Sequence, residues 1–202
     1  MIRGPKYKIA RRLGPSVFEK TQTQKYALRA GARAPAKRGG PKSDFGIQML
    51  EKQRARFTYG VPERQFSNYV KAAVAKKGVN SVELLYQKLE SRLDNVVYRL
   101  ALSSSRAAGR QMVSHGHILV NGRRVTVPSY QVSQGDVITI REGSKKSNLF
   151  GTVLDERIKE RQTPSWISFD MEKREAKIQG APKVVPTEIA FDLGAVIEFY
   201  SR

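Results

Sequence analysis

Leu89-Glu90-Ser91-Arg92-Leu93-Asp94-Asn95-Val96-Val97-Tyr98-Arg99-Leu100, then Ser105-Arg106-Ala107-Ala108-Gly109-Arg110-Gln111, then His115-Gly116-His117-Ile118-Leu119-Val120-Asn121-Gly122-Arg123-Arg124-Val125 lie within one stretch, Leu89 to Arg141, that decides the fold. It reads as helix, tight turn, helix and hairpin. Asn121-Gly122 stands between Ile118-Leu119-Val120 and the apolar Val125, and a two-residue turn of the primed type needs positive φ at both central positions. Arg106 and Arg110 are one helical turn apart and so share a face. The pattern therefore predicts an apolar unit with a positively charged edge, built from these arginines and from Arg123 and Arg124 at the hairpin tip.

Beyond the hairpin, Pro128-Ser129-Tyr130 and Gly135-Asp136 punctuate short β runs, and Val137-Ile138-Thr139-Ile140 reads as a strand. Residues 143–163 are polar, with a short helix expected around Leu154 to Lys159. Within them Ser144-Lys145-Lys146-Ser147 reads as a solvated basic turn. Trp166 to Asp170 and the run around Ala176-Lys177-Ile178 read as further strands. Asp192 is placed to cap a final helix whose Leu193, Val196, Ile197 and Tyr200 fall at i, i+3, i+4 and i+7. That apolar stripe is expected to dock on the helices between residues 44 and 88.

Before the stretch, Ser43-Asp44 is an N-cap signal for a helix running through Phe45 and Met49 towards Phe57. Pro62-Glu63 opens another, in which Phe66, Tyr69, Val70 and Ala73 recur at helical spacing. Asn80 and Glu83 have capping-box spacing for a third, lined by Val82, Leu85, Tyr86 and Leu89. Residues 1–43 have weak apolar periodicity and are broken by Gly4-Pro5, Gly14-Pro15, Ala34-Pro35 and Gly39-Gly40-Pro41. They read as an extended basic arm, ordered against a phosphate backbone.

The charge of this 202-residue chain is +19, and it is unevenly spread. Residues 1–60 hold 15 Lys/Arg against 3 Asp/Glu, whereas residues 151–202 hold 8 against 9. A polyanion met by the first three-quarters of the chain is the partner this implies. Cysteine is absent, which excludes a disulfide framework, thiol catalysis and a Cys-built zinc site. His115 and His117 are too few to hold a metal alone. Asp94 reads as an ion-pair partner of Arg92 and Arg99, and the remaining aspartates are dispersed. No phosphate loop, nucleophile elbow or paired-carboxylate pattern occurs, so catalysis is not expected. The chain lacks an apolar run of membrane-spanning length and a signal-peptide core, so a soluble protein of a reducing compartment is expected.

The motifs of residues 89–122 resemble the RNA-binding module named after ribosomal protein S-four, which several RNA-modifying enzymes and heat-shock proteins also carry. The flanks narrow the resemblance. Glu51-Lys52-Gln53, Tyr59-Gly60-Val61-Pro62-Glu63-Arg64-Gln65-Phe66, Pro128-Ser129-Tyr130, Pro164-Ser165-Trp166 and Glu198-Phe199-Tyr200-Ser201-Arg202 resemble the bacterial-type small-subunit ribosomal protein S-four family over essentially the whole chain. Arg3-Gly4-Pro5 and Arg11-Arg12-x-Gly14 fit the start of that family.

The resemblance implies an α+β fold. Residues 44–87 with 180–202 would form a helical domain closed by the C-terminal helix. Residues 88–179 would be an inserted mixed α/β domain containing the RNA-binding module (89–141), and residues 1–43 a basic arm. It also implies a structural, non-enzymatic constituent of the small ribosomal subunit in the cytoplasm or an organelle. Such a protein binds small-subunit ribosomal RNA early in assembly, neighbours ribosomal protein S-five and bears on decoding accuracy. No cofactor, membrane or small-molecule substrate is implied. An RNA-modifying enzyme or heat-shock-type RNA binder with the same module is the alternative. An enzyme would carry a further catalytic domain of about 150 residues, for which the assigned elements leave no room.

Charge and resemblance together nominate as RNA ligands Arg3, Lys6, Lys8, Arg11, Arg12, Lys42, Lys52, Arg54, Arg56, Arg64, Arg92, Arg106, Arg110, Gln111, His115, His117, Asn121, Arg123 and Arg124. Two departures from the family stand out. Many relatives hold zinc with four cysteines in the arm, and without them this arm is expected to be held by RNA contacts alone. Gly109 stands where alanine is usual, which implies either a weaker helix or a closer backbone approach.

Overall fold

Asn121 and Gly122 both take positive φ, 51° and 76°, and the two-residue turn between them closes the hairpin that the Asn-Gly pair predicts. The computed structural model describes residues 4–32, 43–145, 147, 158, 163–170, 173–185 and 189–201. The fold is α+β, and its contacts divide it into two compact units, Met1–Leu85 with Val184–Arg202, and Tyr86–Lys183. The boundary falls inside the helix Ser81–Glu90. Helices are numbered along the chain: α1 Lys6–Leu13, α2 Gln24–Gly31, α3 Asp44–Tyr59, α4 Glu63–Val74, α5 Ser81–Glu90, α6 Leu93–Arg99, α7 Arg106–Ser114, α8 Glu142–Lys145 and α9 Leu193–Tyr200.

In the second unit, β1 (Ile118–Val120), β2 (Arg123–Arg124), β3 (Val137–Ile140), β4 (Ile167–Asp170) and β5 (Glu175–Ile178) make one antiparallel sheet of order β2-β1-β3-β5-β4. Alternation sends Ile118 and Val120 of β1, Ile138 and Ile140 of β3, and Ala176 and Ile178 of β5 into the core. There they join Leu93, Val96 and Val97 of α6 and Met112 and Val113 of α7. The helix expected around Leu154 to Lys159 lies, apart from Ile158, outside the described residues.

Ser105 caps α7, its hydroxyl accepting from Ala108 N–H. Gly109 then meets α6 backbone to backbone. A Cβ built on it would lie 2.7 Å from the carbonyl oxygen of Asp94 and 3.0 Å from Ser103 Oγ. Of the two consequences open for this glycine, the structure has the close approach. Gly109→Ala is therefore expected to lower stability by about 1–2 kcal/mol. The overpacking cost of about 1–3 kcal/mol exceeds the helix-propensity gain of about 0.5–1 kcal/mol. A higher urea midpoint for Gly109→Ala would show that α6 and α7 separate at no cost.

The first unit corrects the expectation of an extended arm over residues 1–43, as far as they are described. Residues 6–31 form α1, two 3₁₀ turns (Pro15–Val17 and Glu19–Thr21) and α2. Ala10, Leu13, Val17 and Tyr26 are buried, and Leu13 and Val17 cluster with Leu50 of α3, flanked by Ile9, Phe18 and Phe57. Thr21 Oγ1 lies 2.7 Å and 2.8 Å from the carbonyls of Pro15 and Phe18, and Arg54 Nε donates to the carbonyl of Leu13 at 2.7 Å. The arm is thus held by apolar contacts and capped carbonyls within the protein, not by RNA alone. The physical reason is that a few apolar residues suffice once α3 offers them a partner face.

Ser43 caps α3 by accepting from Gly46 N–H, and Asn80 Oδ1 accepts from Val82 N–H at 2.9 Å at the head of α5. Asp192 caps α9, its carboxylate accepting from Gly194 N–H at 2.7 Å and Ala195 N–H at 3.3 Å. α9 packs on α3 and α4: Phe199 lies 5.4 Å from Phe45 and Tyr200 lies 6.3 Å from Phe66, ring to ring. Tyr200 Oη donates to Glu63 at 2.6 Å, and burial together with this bond pushes its hydroxyl pKa up. Burial alone would raise the carboxyl of Glu63, but bonds from Tyr200 and Lys52 and the charges of Lys52 and Arg56 hold it below the usual range.

Candidate nucleic-acid interface

The hairpin and the end of α7 bring one set of the nominated residues together. Gln111 and His115 are exposed, as are Asn121, Arg123 and Arg124 on the β1–β2 turn and strand. Arg124 lies back over the turn that precedes β1. Its Nη2 donates to the carbonyl of His115 at 3.1 Å, and its guanidinium covers Gly116, whose φ is +71° and where a Cβ would sit 2.0 Å from Arg124 Nε. Only glycine allows the guanidinium to lie there.

The rings of His115 and His117 are 5.9 Å apart, and His117 Nδ1 lies 2.9 Å from the buried Ser144 Oγ. This corrects the reading of Ser144-Lys145-Lys146-Ser147 as a solvated turn, at Ser144. Burial, followed by the positive charges of His115, Arg141 and Arg124, lowers the pKa of His117. An anion beside this group would relieve that repulsion. Arg141 is the cation the sequence reading left out. The β1–β3 register places it here, with its N–H donating to the carbonyl of His117 at 2.9 Å. No local signal gives that register.

Several nominated groups turn out to be spent on the protein itself. Arg92 is 2 % exposed and forms a fork with Asp94, whose carboxylate accepts from Nε at 3.0 Å and from Nη2 at 2.7 Å. Lys52 is 8 % exposed, 2.9 Å from Glu63 and 4.4 Å from the centroid of Phe199. Both of these nominated residues are buried and paired with a carboxylate of the protein. A buried cation neutralised at contact distance presents no charge to a phosphate, and sequence pattern alone cannot distinguish it from a surface cation.

Arg106 and Arg110 do share a face, but that face looks back at α6. Arg106 Nε donates to Asn95 Oδ1 at 2.8 Å, with its guanidinium 4.4 Å from the ring centroid of Tyr98. Arg110 reaches Asp94 at 2.8–2.9 Å. Asp94 thus pairs with Arg92 and Arg110, while Arg99 pairs with the buried Glu90 at 2.7 Å instead. The side chain of Asn121 is likewise used internally, donating to Asp136 and accepting from Val137 N–H, both at 2.8 Å.

In the first unit, Lys6, Lys8, Arg11 and Arg12 of α1 and Arg64 of α4 are exposed. Arg54 is half-buried and bonded to Leu13 and Glu51, and Arg56 lies 3.3 Å from Glu63. Arg3 and Lys42 lie outside the described residues. Residues 6–31 contain neither Cys nor His, so they offer no thiolate or imidazole ligand to a metal. No helix among the described residues is long and apolar enough to cross a membrane.

Residues 1–90 match the family profile of the ribosomal protein S4/S9 N-terminal domain, and residues 91–138 match that of the S4 domain. Over 98 % of both chains, the sequence is 45 % identical to the small ribosomal subunit protein uS4 of Chromobacterium violaceum. It is 42 % identical, over 98 % of each chain, to the proteins of that name from Pseudomonas fluorescens strain Pf0-1 and Pseudomonas syringae pv. tomato.

Proposed function

This chain belongs to the small ribosomal subunit protein uS4 family, and on that premise we propose that it is a structural, non-enzymatic part of the small ribosomal subunit that binds its ribosomal RNA. The observation that carries the RNA reading is the exposed tip of the hairpin. Arg123 and Arg124 lie on its β2 strand, Arg124 reaches back to the carbonyl of His115, and Arg141 stands opposite His117 just before β1, all on an antiparallel scaffold in a chain of charge +19. Arginine suits the task, because its planar fork bonds phosphate at two points and stacks on bases. Affinity comes from phosphate contacts and specificity from the shape of a folded junction, as is usual for structured RNA.

The finer parts of the proposal follow from the family. The protein joins the RNA early in assembly, bears on decoding accuracy, and neighbours other small-subunit proteins, ribosomal protein S-five among them, in a cytoplasmic ribosome. We assign the RNA-reading role to residues 88–179 and the framing role to residues 44–87 with 180–202. Arg123 tests the proposal more cleanly than Arg106 or Arg110, whose removal also strips partners from Asn95 or Asp94. Arg123→Ala is expected to weaken binding to small-subunit ribosomal RNA and to flatten the plot of log K against log salt by about one unit. The same slope and affinity as the unaltered chain would take the hairpin tip out of the interface.

A further inference from the structure

α1 and α2 repeat one pattern. Tyr7 is followed by Lys8 and, one turn on, by Arg11; Tyr26 is followed one turn on by Arg29 and Ala30. Tyr7 and Lys8 each lie one turn from Arg11, and Tyr26 lies one turn from Arg29 and Ala30, spacings that share a helix face. The two faces meet in an open pocket lined by Tyr7, Lys8, Arg11, Tyr26, Arg29 and Ala30 among others, none of them a carboxylate among the described residues. The tyrosine rings are 5.3 Å apart and inclined at 60°. Tyr26 is buried at 8 % exposure and forms the floor, whereas Tyr7 is only half-buried. Lys20 Nζ stands 5.9 Å from the centroid of Tyr7.

An aromatic floor ringed by Lys and Arg is the chemistry that takes a nucleobase with its phosphates. Every base has a π-face to lay on tyrosine, and the backbone charges meet the cations. A paired base in a duplex has both faces covered by its neighbours, and only an unstacked nucleotide can enter such a pocket. An acidic peptide would use the cations but leave the rings idle. A metal would find neither thiolate, imidazole nor carboxylate among the described lining residues.

We propose that this pocket holds one unstacked nucleotide of single-stranded RNA, its base against Tyr7 and its phosphates on Lys8, Arg11 and Arg29. The inference rests on the RNA-binding reading above and adds to it a specific site and a class of ligand. The arm without zinc then does more than pack on α3. It carries a stacking platform of its own.

The test uses the full chain and a short single-stranded oligoribonucleotide carrying 2-aminopurine, whose fluorescence falls when the base stacks. The same oligonucleotide in a duplex serves as the control. Quenching is expected with the single strand and not with the duplex. Tyr7→Leu is expected to weaken single-strand binding about tenfold and remove the quench, while Tyr7→Phe keeps both. Arg11→Gln, an exposed change that leaves the helix intact, is expected to lower the salt slope by about one unit with the quench retained.

Wild-type quench and affinity in Tyr7→Leu, or an equal quench with the duplex, would overturn the site. If that happens while the unaltered chain still binds a small-subunit ribosomal RNA transcript, the site alone falls. If the unaltered chain binds neither, the RNA-binding reading falls with it.

Discussion

Asp94→Ala is expected to destabilise the Tyr86–Lys183 unit by about 3–5 kcal/mol, the cost of breaking a buried ion pair from one side. Asp94 and Arg92 are 3 % and 2 % exposed, and the two carboxylate oxygens of Asp94 accept from Arg92 and from Arg110. Removing the carboxylate takes from the buried guanidinium of Arg92 its charge partner at 2.7 Å. It also releases the tie from α7 to α6, next to the close approach at Gly109. The measurement is the urea midpoint followed by circular dichroism. Replacing Arg92 and Asp94 together by Met and Leu is expected to restore much of the loss, because both members of the buried Arg92–Asp94 pair are removed at once. A midpoint within error of the unaltered chain for Asp94→Ala would show that the pair is not what holds Arg92 inside.

The second large effect concerns the other unit. Phe66→Ala is expected to cost about 3–5 kcal/mol, the range for truncating a buried aromatic side chain to alanine. Phe66 is fully buried on α4, with the ring of Tyr200 on α9 at 6.3 Å. The cavity would open where α9 seats Val196 and Tyr200, so the loss should appear first in α4 and α9. Amide hydrogen exchange resolves this better than a global melt, since a chain of two units need not unfold in one step. Faster exchange across Glu63–Val74 and Leu193–Tyr200 is the expected result, with Phe66→Leu intermediate. Unchanged exchange in both helices would refute the packing role.

Much of the local structure was legible in residue order. Asn121-Gly122 announces its turn because few residue pairs accept two positive φ values. Ser43, Asn80 and Asp192 each stand before a helical stripe and each accepts from a backbone N–H near the helix start. Within the described residues 4–32 the sequence misled, because Gly4-Pro5 and Gly14-Pro15 suggested an extended chain. The few apolar positions that matter there, Ile9, Leu13 and Val17, become a core only against Leu50 and Phe57 some forty residues on. The basic residues were half legible. Lys8 and Arg123 look in sequence like Lys52 and Arg92, yet the first two face solvent and the second two are sealed against carboxylates.

What the sequence by itself determined is the kind of protein this is. Helix caps, apolar stripes, the hairpin pair and the charge excess are local or summed properties, and each is set by residue type and spacing. Tertiary structure alone decided which cations remain available. That depends on carboxylates brought from elsewhere: Glu63 to Lys52, Asp94 to Arg110, Glu90 to Arg99. It also placed Arg141 beside His117 through a strand register, and Tyr7 beside Tyr26 through the packing of two short helices. Charge is a property of a residue, but whether that charge can meet an RNA depends on its distance to the nearest opposite charge and to water, which only the folded chain sets.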